Sequence, residues 1–321
     1  MSRETSAPLT AASPLVRRLW AYQAERFPLF KHGLLIAAYY SSNQFLARQL
    51  TEPGRPMHYD LSTLLGALTL LGFFLHLRVF DEHKDYAEDV IHHPDRVLQR
   101  GVITLRDLKI LGGIAIALQI VLAAARGLPA LAAWGIAFGF SLLMLKEFFA
   151  RDWLKRHFLV YATTHMLLMP FLSLMVFSFA TGRWPWEAPQ WYLVYAWVGF
   201  FVTFNWEVSR KIRAPEDEIE GVDTYSRVFG TYGAAWVVLG IRVVDTLLVI
   251  LVGRHLGLGW GFTAALAALF VVCLFAFFQF RFRTSRKTAK MMETYAGIYI
   301  IAFDIILAVA ISHRFGLTLG G

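Results

Sequence analysis

The sequence contains a single cysteine, Cys273, set inside an apolar run. One thiol excludes a disulfide framework and a cysteine-based metal site, and leaves Cys273 as a small core-like residue of a helix. Charge is also scarce. Only 17% of the 321 residues are charged, 57% are hydrophobic, and the mean hydropathy is +0.49. A soluble domain of this length needs a far more charged surface, so the composition points to an integral membrane protein. Tandem repeats of roughly 20–50 residues are missing, as are low-complexity segments. No cleaved signal is expected at the N-terminus: Arg17, Arg18 and Arg26 precede an apolar run too long for the core of a signal peptide.

What is present is a series of long apolar runs. A membrane helix takes about 20 mostly apolar residues. Nine runs qualify, near residues 29–50, 61–80, 107–125, 128–146, 158–180, 191–206, 232–252, 260–280 and 293–312. The expected fold is an all-α bundle of nine transmembrane helices spanning residues 29–313. Residues 1–28 form a cytoplasmic N-terminal segment whose first 14 residues are a mobile tail, and residues 314–321 form a short external tail. The first run is the weakest, interrupted by Lys31, Asn43 and Arg48.

A net charge of +8 raises the question of nucleic acid, and its distribution answers it. With a cytoplasmic N-terminus, the inner segments hold Arg3, Arg17, Arg18 and Arg26, then Lys84, Arg96, Arg100 and Arg106, then Lys146, Arg151, Lys155 and Arg156. Arg210, Lys211, Arg213 and Arg227 follow, and last Arg281, Arg283, Arg286, Lys287 and Lys290. The outer segments hold Arg48 and Arg55, then one each in Arg126, Arg183, Arg254 and Arg314. Basic residues accumulate on the cytoplasmic side of membrane helices, which places the N-terminus inside and the C-terminus outside. The charge is accounted for without a nucleic-acid partner. The expected location is a bacterial cytoplasmic membrane, with the polar loops in the cytoplasm.

Two of the inner connections, 81–106 and 207–231, are long and polar. The first opens on "DEHKDYAED", with Asp81, Asp85 and Asp89 four residues apart and Glu82 beside them. A helix continued past the membrane would keep all three aspartates on one face. Like charges so placed repel, and ionisable groups at a membrane boundary are costly unless they serve a site. A solvated helix extension, with Lys84 and Arg96 as counter-charges, is the plain alternative. The second loop, "NWEVSRKIRAPEDEIEGVDTYSRVFG", sets Glu207, Arg210, Lys211 and Arg213 before Glu216, Asp217, Glu218, Glu220 and Asp223 around Gly221. Acids and bases on two facing loops suit a diphosphate carried by Mg2+. The ion takes one or two carboxylates and completes its shell with phosphate oxygens and water, while Arg and Lys take the remaining oxygens. A salt-bridged loop pair with no ligand is the alternative.

"DEHKDYAED" resembles the N-D-x-x-D-x-x-x-D signature of the UbiA superfamily of intramembrane prenyltransferases. Asp81 stands at the Asn position, Glu82 at the first Asp, and Asp85 and Asp89 at the other two. "HHPDRVLQRGVIT" is similar to the segment that follows in that family, where an Arg and a Gly lead into the third span. The resemblance implies nine spans with polar motifs after the second and sixth. It departs in the second motif: Asp217, Gly221 and Thr224 fit the family spacing, but Arg210 and Arg213 stand where earlier acids are usual. That implies fewer metal ligands there, or a phosphate-binding role for the arginines. Lys146, in "LLMLKEFF", resembles the family lysine that contacts diphosphate, with a basic membrane anchor as the alternative.

The resemblance implies Mg2+-dependent transfer of a prenyl group from an isoprenoid diphosphate to a small-molecule or lipid acceptor, aromatic acceptors included, within the membrane. Ionising an allylic C–O bond leaves diphosphate on one side and a carbocation on the other, so negative charge must be stabilised in a water-poor place. Asp81, Asp85, Asp89 and Asp217 are the expected catalytic residues, and Glu82 joins them as metal ligand. Lys84, Arg96, Lys146, Glu207, Arg210 and Arg213 are expected on the substrate. Phe80, Tyr161, Phe204 and Trp206 are candidates for cation–π contact with the carbocation, and His92 and His93 for a general base. Two rivals stand beside this: transfer of a sugar phosphate onto a polyprenyl phosphate on the same fold, and a multi-span transporter whose path is lined by Arg242, Asp245, Asp304, His76 and His165.

Overall fold

Each apolar run folds as a helix, and side-chain caps or prolines mark where several of them begin. The computed structural model describes residues 9–220 and 223–319. α1 (Leu15–Arg26) follows Pro14 and α2 (Leu29–Thr51) follows Pro28. Asp60 accepts the Thr63 N–H at the start of α3 (Leu61–Lys84), and the short α4 (Tyr86–His92) comes next. Thr104 and Asp107 form a reciprocal cap on α5 (Leu105–Arg126), satisfying N–H groups that the first turn leaves free. α6 (Leu128–Leu145), α7 (Arg151–Arg156), α8 (Phe158–Met166) and α9 (Leu168–Thr181) follow. α8 and α9 are one run broken at Leu167, because Pro170 has no N–H to offer the Met166 carbonyl. Then come α10 (Gln190–Arg210), the short α11 (Tyr225–Phe229), α12 (Thr231–His255), α13 (Trp260–Phe282) and α14 (Arg286–Phe315), the last capped by Ser285.

Seven of these segments, with α8 and α9 taken together, are long and apolar enough to cross a membrane. The two remaining long helices, α2 and α10, cover the first and sixth expected runs. α2 is polar for a visible reason: Ser42, Asn43, Gln44, Arg48 and Gln49 are buried inside the bundle, where they bond to other elements. Ser42 donates to Asp304 of α14 at 2.5 Å, and Tyr195 of α10 donates to the same carboxylate oxygen at 2.8 Å. Tyr192 of α10 donates to Asn43 at 3.2 Å.

Successive long helices pack side by side, α3 on α5, α6 on α9, α10 on α12 and α13 on α14, and α14 returns to α2 to close a ring. The apolar core has two main parts that share α2. Tyr39 and Tyr40 pack with α3, α6 and α9, while Phe45, Leu46 and Ala47 pack with α10, α12 and α14. Alternating helix directions gather the connections 52–60, 182–189 and 256–259 at one end of the ring. Residues 85–104, 146–157, 211–220, 223–230 and 283–285 gather at the other.

The described parts of both terminal segments are tied down, while most of the tail expected over residues 1–14 lies outside the described residues. The residues after α14, expected as a short tail, form a strand β2 (Leu317–Leu319) that pairs in parallel with β1 (Met57–Tyr59). Within the expected N-terminal segment, α1 docks on the polar-loop end through Arg18 to Asp107 at 2.9 Å and Arg26 to Glu82 at 2.6 Å.

Candidate active site

The apolar run of α3 gives out at Phe80, and the next turn is DEHK. The regular helix stops at Lys84 and bends at Asp85, so the continuous extension expected from the sequence is interrupted. Its hydrogen-bond spacing survives the bend: Asp85 N–H donates to the Asp81 carbonyl and Asp89 N–H to the Asp85 carbonyl, each at 2.9 Å. The aspartates therefore stay one turn apart, but their side chains fare differently.

Asp81 is loosely held, 3.7 Å from Arg78 and 3.8 Å from Lys84. Asp85 is half-buried, and its carboxylate has no hydrogen bond or ion pair among the described residues. Burial pushes the Asp85 carboxyl up to about 6; Lys84 opposes this, and the negative charges of Asp81, Glu88 and Asp89 add to it. Asp89 pairs with Arg96 at 2.6 Å. Glu82, expected as a metal ligand, turns instead to Arg26 of α1. It is 1% exposed, one oxygen takes the Arg26 guanidinium, and the other has no partner.

The wall facing Asp81 comes from α8. Lys84 donates to the Tyr161 hydroxyl at 2.9 Å, and the Tyr161 ring stacks on His165 with centroids 4.1 Å apart. Phe80, Asp81, Lys84, Ser141 and His165 line a narrow cleft there. Lys146 ends α6 nearby in sequence, exposed and without a carboxylate partner among the described residues. The chain then turns through Glu147, Phe148 and Phe149 at φ of +46°, +52° and +57°. A left-handed non-glycine residue costs about 1–2 kcal/mol. Phe148 uses the turn to set its ring edge-on to His165 at 5.9 Å.

The second loop supplies a different arrangement from the expected one. Glu207 is buried and holds Arg210 at 2.6 Å and Lys211 at 2.9 Å. Arg210 lies over the Trp206 ring at 5.3 Å, and Lys211 over Phe158 of α8 at 4.8 Å. Arg213 folds back on the carbonyls of Arg210 and Ile212, at 2.9 and 3.0 Å. Asp217 is ion-paired with Arg286, whose hydrogen bonds hold its carboxyl below the usual range. Arg213, Asp217 and Arg286 line a separate groove of about 350 Å3. Gly221 lies outside the described residues, and Thr224 caps α11 while donating to Glu218 at 2.8 Å.

Of the expected residues, then, Asp81, Lys84 and Asp85 come together with Phe80 and Tyr161, Asp89 follows one turn on, and Glu82 and Asp217 are held elsewhere. Phe204 packs on Phe200 and Tyr225, away from the cleft lining. Arg26, Arg78 and Lys211 are further partners of these acids. Lys211 carried a signal, since it stands four residues after Glu207 in the favourable acid-to-base order. Among the described residues no three His, Cys, Asp or Glu side chains converge on one point. Two neighbouring carboxylates without a tight cation still fit Mg2+, which takes one or two carboxylates and fills its shell from phosphates and water.

The sequence model of the UbiA prenyltransferase family matches residues 46–301. The chain belongs to that family. No curated protein matches the sequence. Three solved structures resemble the fold of this UbiA-family protein. An apo UbiA homologue from Aeropyrum pernix K1 aligns with TM-score 0.65 and 16% identity over 88% of this chain and 98% of its own. A digeranylgeranylglyceryl phosphate synthase aligns with TM-score 0.62 and 18% identity over 92% and 99%. A UbiA homologue from Archaeoglobus fulgidus bound to GPP and Mg2+ aligns with TM-score 0.50 and 13% identity over 86% and 99%. With its apolar helices, the UbiA-family chain is an integral membrane protein.

Of the groups that a transporter would align along a path, His165 lines the cleft and the others are held within the bundle. Arg242 bonds Asp245 at 3.0 Å and Asn205 at 2.5 Å and lies over the Tyr299 ring at 3.5 Å. Asp304 is held by Ser42 and Tyr195, and His76 lies within hydrogen-bond distance of Ser141 and Gln119, at 3.3 and 3.2 Å.

Proposed function

We propose that this chain moves a prenyl group from an isoprenoid diphosphate to an acceptor, an alkyl or aryl transfer that uses Mg2+ at the polar-loop end of nine membrane spans, on the cytoplasmic side. The observation that carries the reading is the pair Asp81 and Asp85: carboxylates one turn apart at a membrane boundary, neither with a tight counter-ion. The Archaeoglobus fulgidus homologue bound to GPP and Mg2+ supports the donor class and the metal.

Asp81 and Asp85, with Asp89 one turn further, would hold the ion. When bound there, Mg2+ supplies positive charge that offsets the negative charge growing on the diphosphate as the allylic C–O bond breaks. Glu82 and Asp217 leave the metal set in this proposal, because Arg26 and Arg286 already hold them. Lys84, fixed by the Tyr161 hydroxyl, meets phosphate oxygens from the α3 side. Lys211, fixed by Glu207, and the exposed Lys146 would add positive charge for further phosphate oxygens, with Arg96 and Arg210 beside them, while Arg213 faces the separate groove. Phe80 lines the cleft and Tyr161 stands behind Lys84 and His165, and each would stabilise the allylic cation by about 0.5–2 kcal/mol if its ring face met it. The isoprenoid tail runs among the apolar helices, a low-dielectric place that excludes water from the cation.

The test incubates purified protein with labelled prenyl diphosphates and a panel of aromatic, sugar-phosphate and glycerol-phosphate acceptors, with and without Mg2+. The expected result is labelled lipid product with matching diphosphate release, both lost on chelation. Transfer of a sugar phosphate onto polyprenyl phosphate, or turnover indifferent to divalent metal, would overturn the proposal.

A further inference from the structure

A cavity of about 510 Å3 lies at the opposite end of the ring from the polar loops, framed by the 52–60 loop and the ends of α2, α3, α5 and α9. Its polar walls carry three arginines, Arg48, Arg55 and Arg126, against two carboxylates, Glu52 and Asp60. The pairing inside it is unequal. Arg48, 9% exposed, is bonded to Asp60 at 2.7 Å, the His58 carbonyl at 2.5 Å and Ser62 at 3.1 Å. Asp60 is engaged further by Thr63 and by His58 at 3.3 Å. Arg55 pairs with Glu52 at 2.7 Å on the surface. Arg126 alone has no carboxylate among the described residues: its Nε donates to the Phe179 carbonyl at 2.7 Å, and its two terminal nitrogens make no hydrogen bond there.

Those terminal nitrogens have a shaped place. A Cβ on Gly182 would stand 3.1 and 3.3 Å from them, so the glycine leaves room for the guanidinium. Arg126 is the last residue of α5, where a spanning helix leaves the apolar layer. Leu61, 68% exposed, and Leu65 add an apolar wall from α3. A free planar fork with an apolar wall beside it fits a phosphate attached to acyl chains.

We infer that this cavity is a binding site for a phosphate-bearing anion, the headgroup of an anionic phospholipid, gripped by Arg126. It is independent of the proposed transferase chemistry, which belongs to the other end of the ring. Glu52 and Asp60 do not repel the anion strongly, because Arg55 and Arg48 already neutralise them, and Arg126 remains as the net charge.

The test uses delipidated full-length protein and native mass spectrometry with phosphatidylglycerol, with phosphatidylcholine, and with inorganic phosphate alone. The wild type should retain phosphatidylglycerol about tenfold or more tightly than phosphatidylcholine, whose choline ammonium would set a second positive charge beside Arg126. Arg126→Gln should lose the preference, and Arg183→Gln, an exposed arginine at the same end, should keep it. If Arg126→Gln does not fold, Leu61→Glu decides: it puts a carboxylate at the cavity wall in the first turn of α3, where an acid suits the helix dipole, and it too should lose the preference. Inorganic phosphate that displaces the lipid from the wild type would assign the same site to a free anion. Equal retention of both lipids by the wild type, or an undiminished preference in Arg126→Gln or Leu61→Glu, overturns the inference.

Discussion

Neighbouring acids of one motif have opposite fates. Asp81 and Asp85 lack a tight partner, whereas Glu82 is sealed against Arg26, since consecutive positions on a helix point about 100° apart. Asp81→Asn or Asp85→Asn is near-isosteric and leaves the core untouched. Each should lower turnover by about 100-fold or more while unfolding in detergent stays at the wild-type temperature. Retained turnover in both would return the acids to a solvated extension of α3. For Glu82 the expectation is reversed. Arg26→Ala strands a buried carboxylate, which costs about 3–5 kcal/mol, and adding Glu82→Gln should recover most of that loss. Glu82→Gln alone should keep activity. If it abolishes turnover without affecting stability, Glu82 is a metal ligand after all.

At the level of elements, close approach and capping decide where helices sit. α3 crosses α2 at Gly66, where an added Cβ would lie 1.9 Å from the Tyr40 hydroxyl, itself donating to the Ser62 carbonyl at 3.3 Å. Gly66→Ala must displace that ring and should cost about 1–3 kcal/mol, read as a lower unfolding midpoint, despite alanine's better helix propensity. The other end of α2 is fixed by Arg48 on Asp60, the cap of α3. Burial alone would raise the Asp60 carboxyl, but hydrogen bonds from Ser62 and Thr63 and the Arg48 charge hold it well below the usual carboxylate range. Its folded pKa is thus depressed. The stability it contributes is complete above the ordinary value of about 4 and is lost as pH falls through the lower folded value. Asp60→Asn should remove this part of the acid dependence, seen as a flatter stability profile below about pH 4. A profile identical to the wild type would deny the pairing any energetic role.

On the scale of the whole molecule, the ring has two unlike ends. One gathers the long polar loops with most of the lysines and arginines. The other has short connections, the β1–β2 pair and the Arg126 cavity. By the positive-inside rule, the proposed orientation has the first end in the cytoplasm. A reporter inserted in the 211–220 stretch should therefore read cytoplasmic, and one beside Arg183 external. The reverse pattern would move the proposed site to the outer face.

The sequence by itself determined the membrane class, the all-helical makeup, the placement of the long helices and the family. Each depends on local composition or on a short run of residues: apolar length sets a helix, and "DEHKDYAED" carries the resemblance. It did not determine which acids share a cleft. That Glu82 meets Arg26, Asp217 meets Arg286, and Lys211 rather than Arg213 lies against α8 depends on partners 56, 69 and more than 40 residues away. Such pairings arise only when the ring closes. A buried charge is then held by whichever opposite charge the packing brings within reach, and spacing along one helix cannot name a partner carried by another.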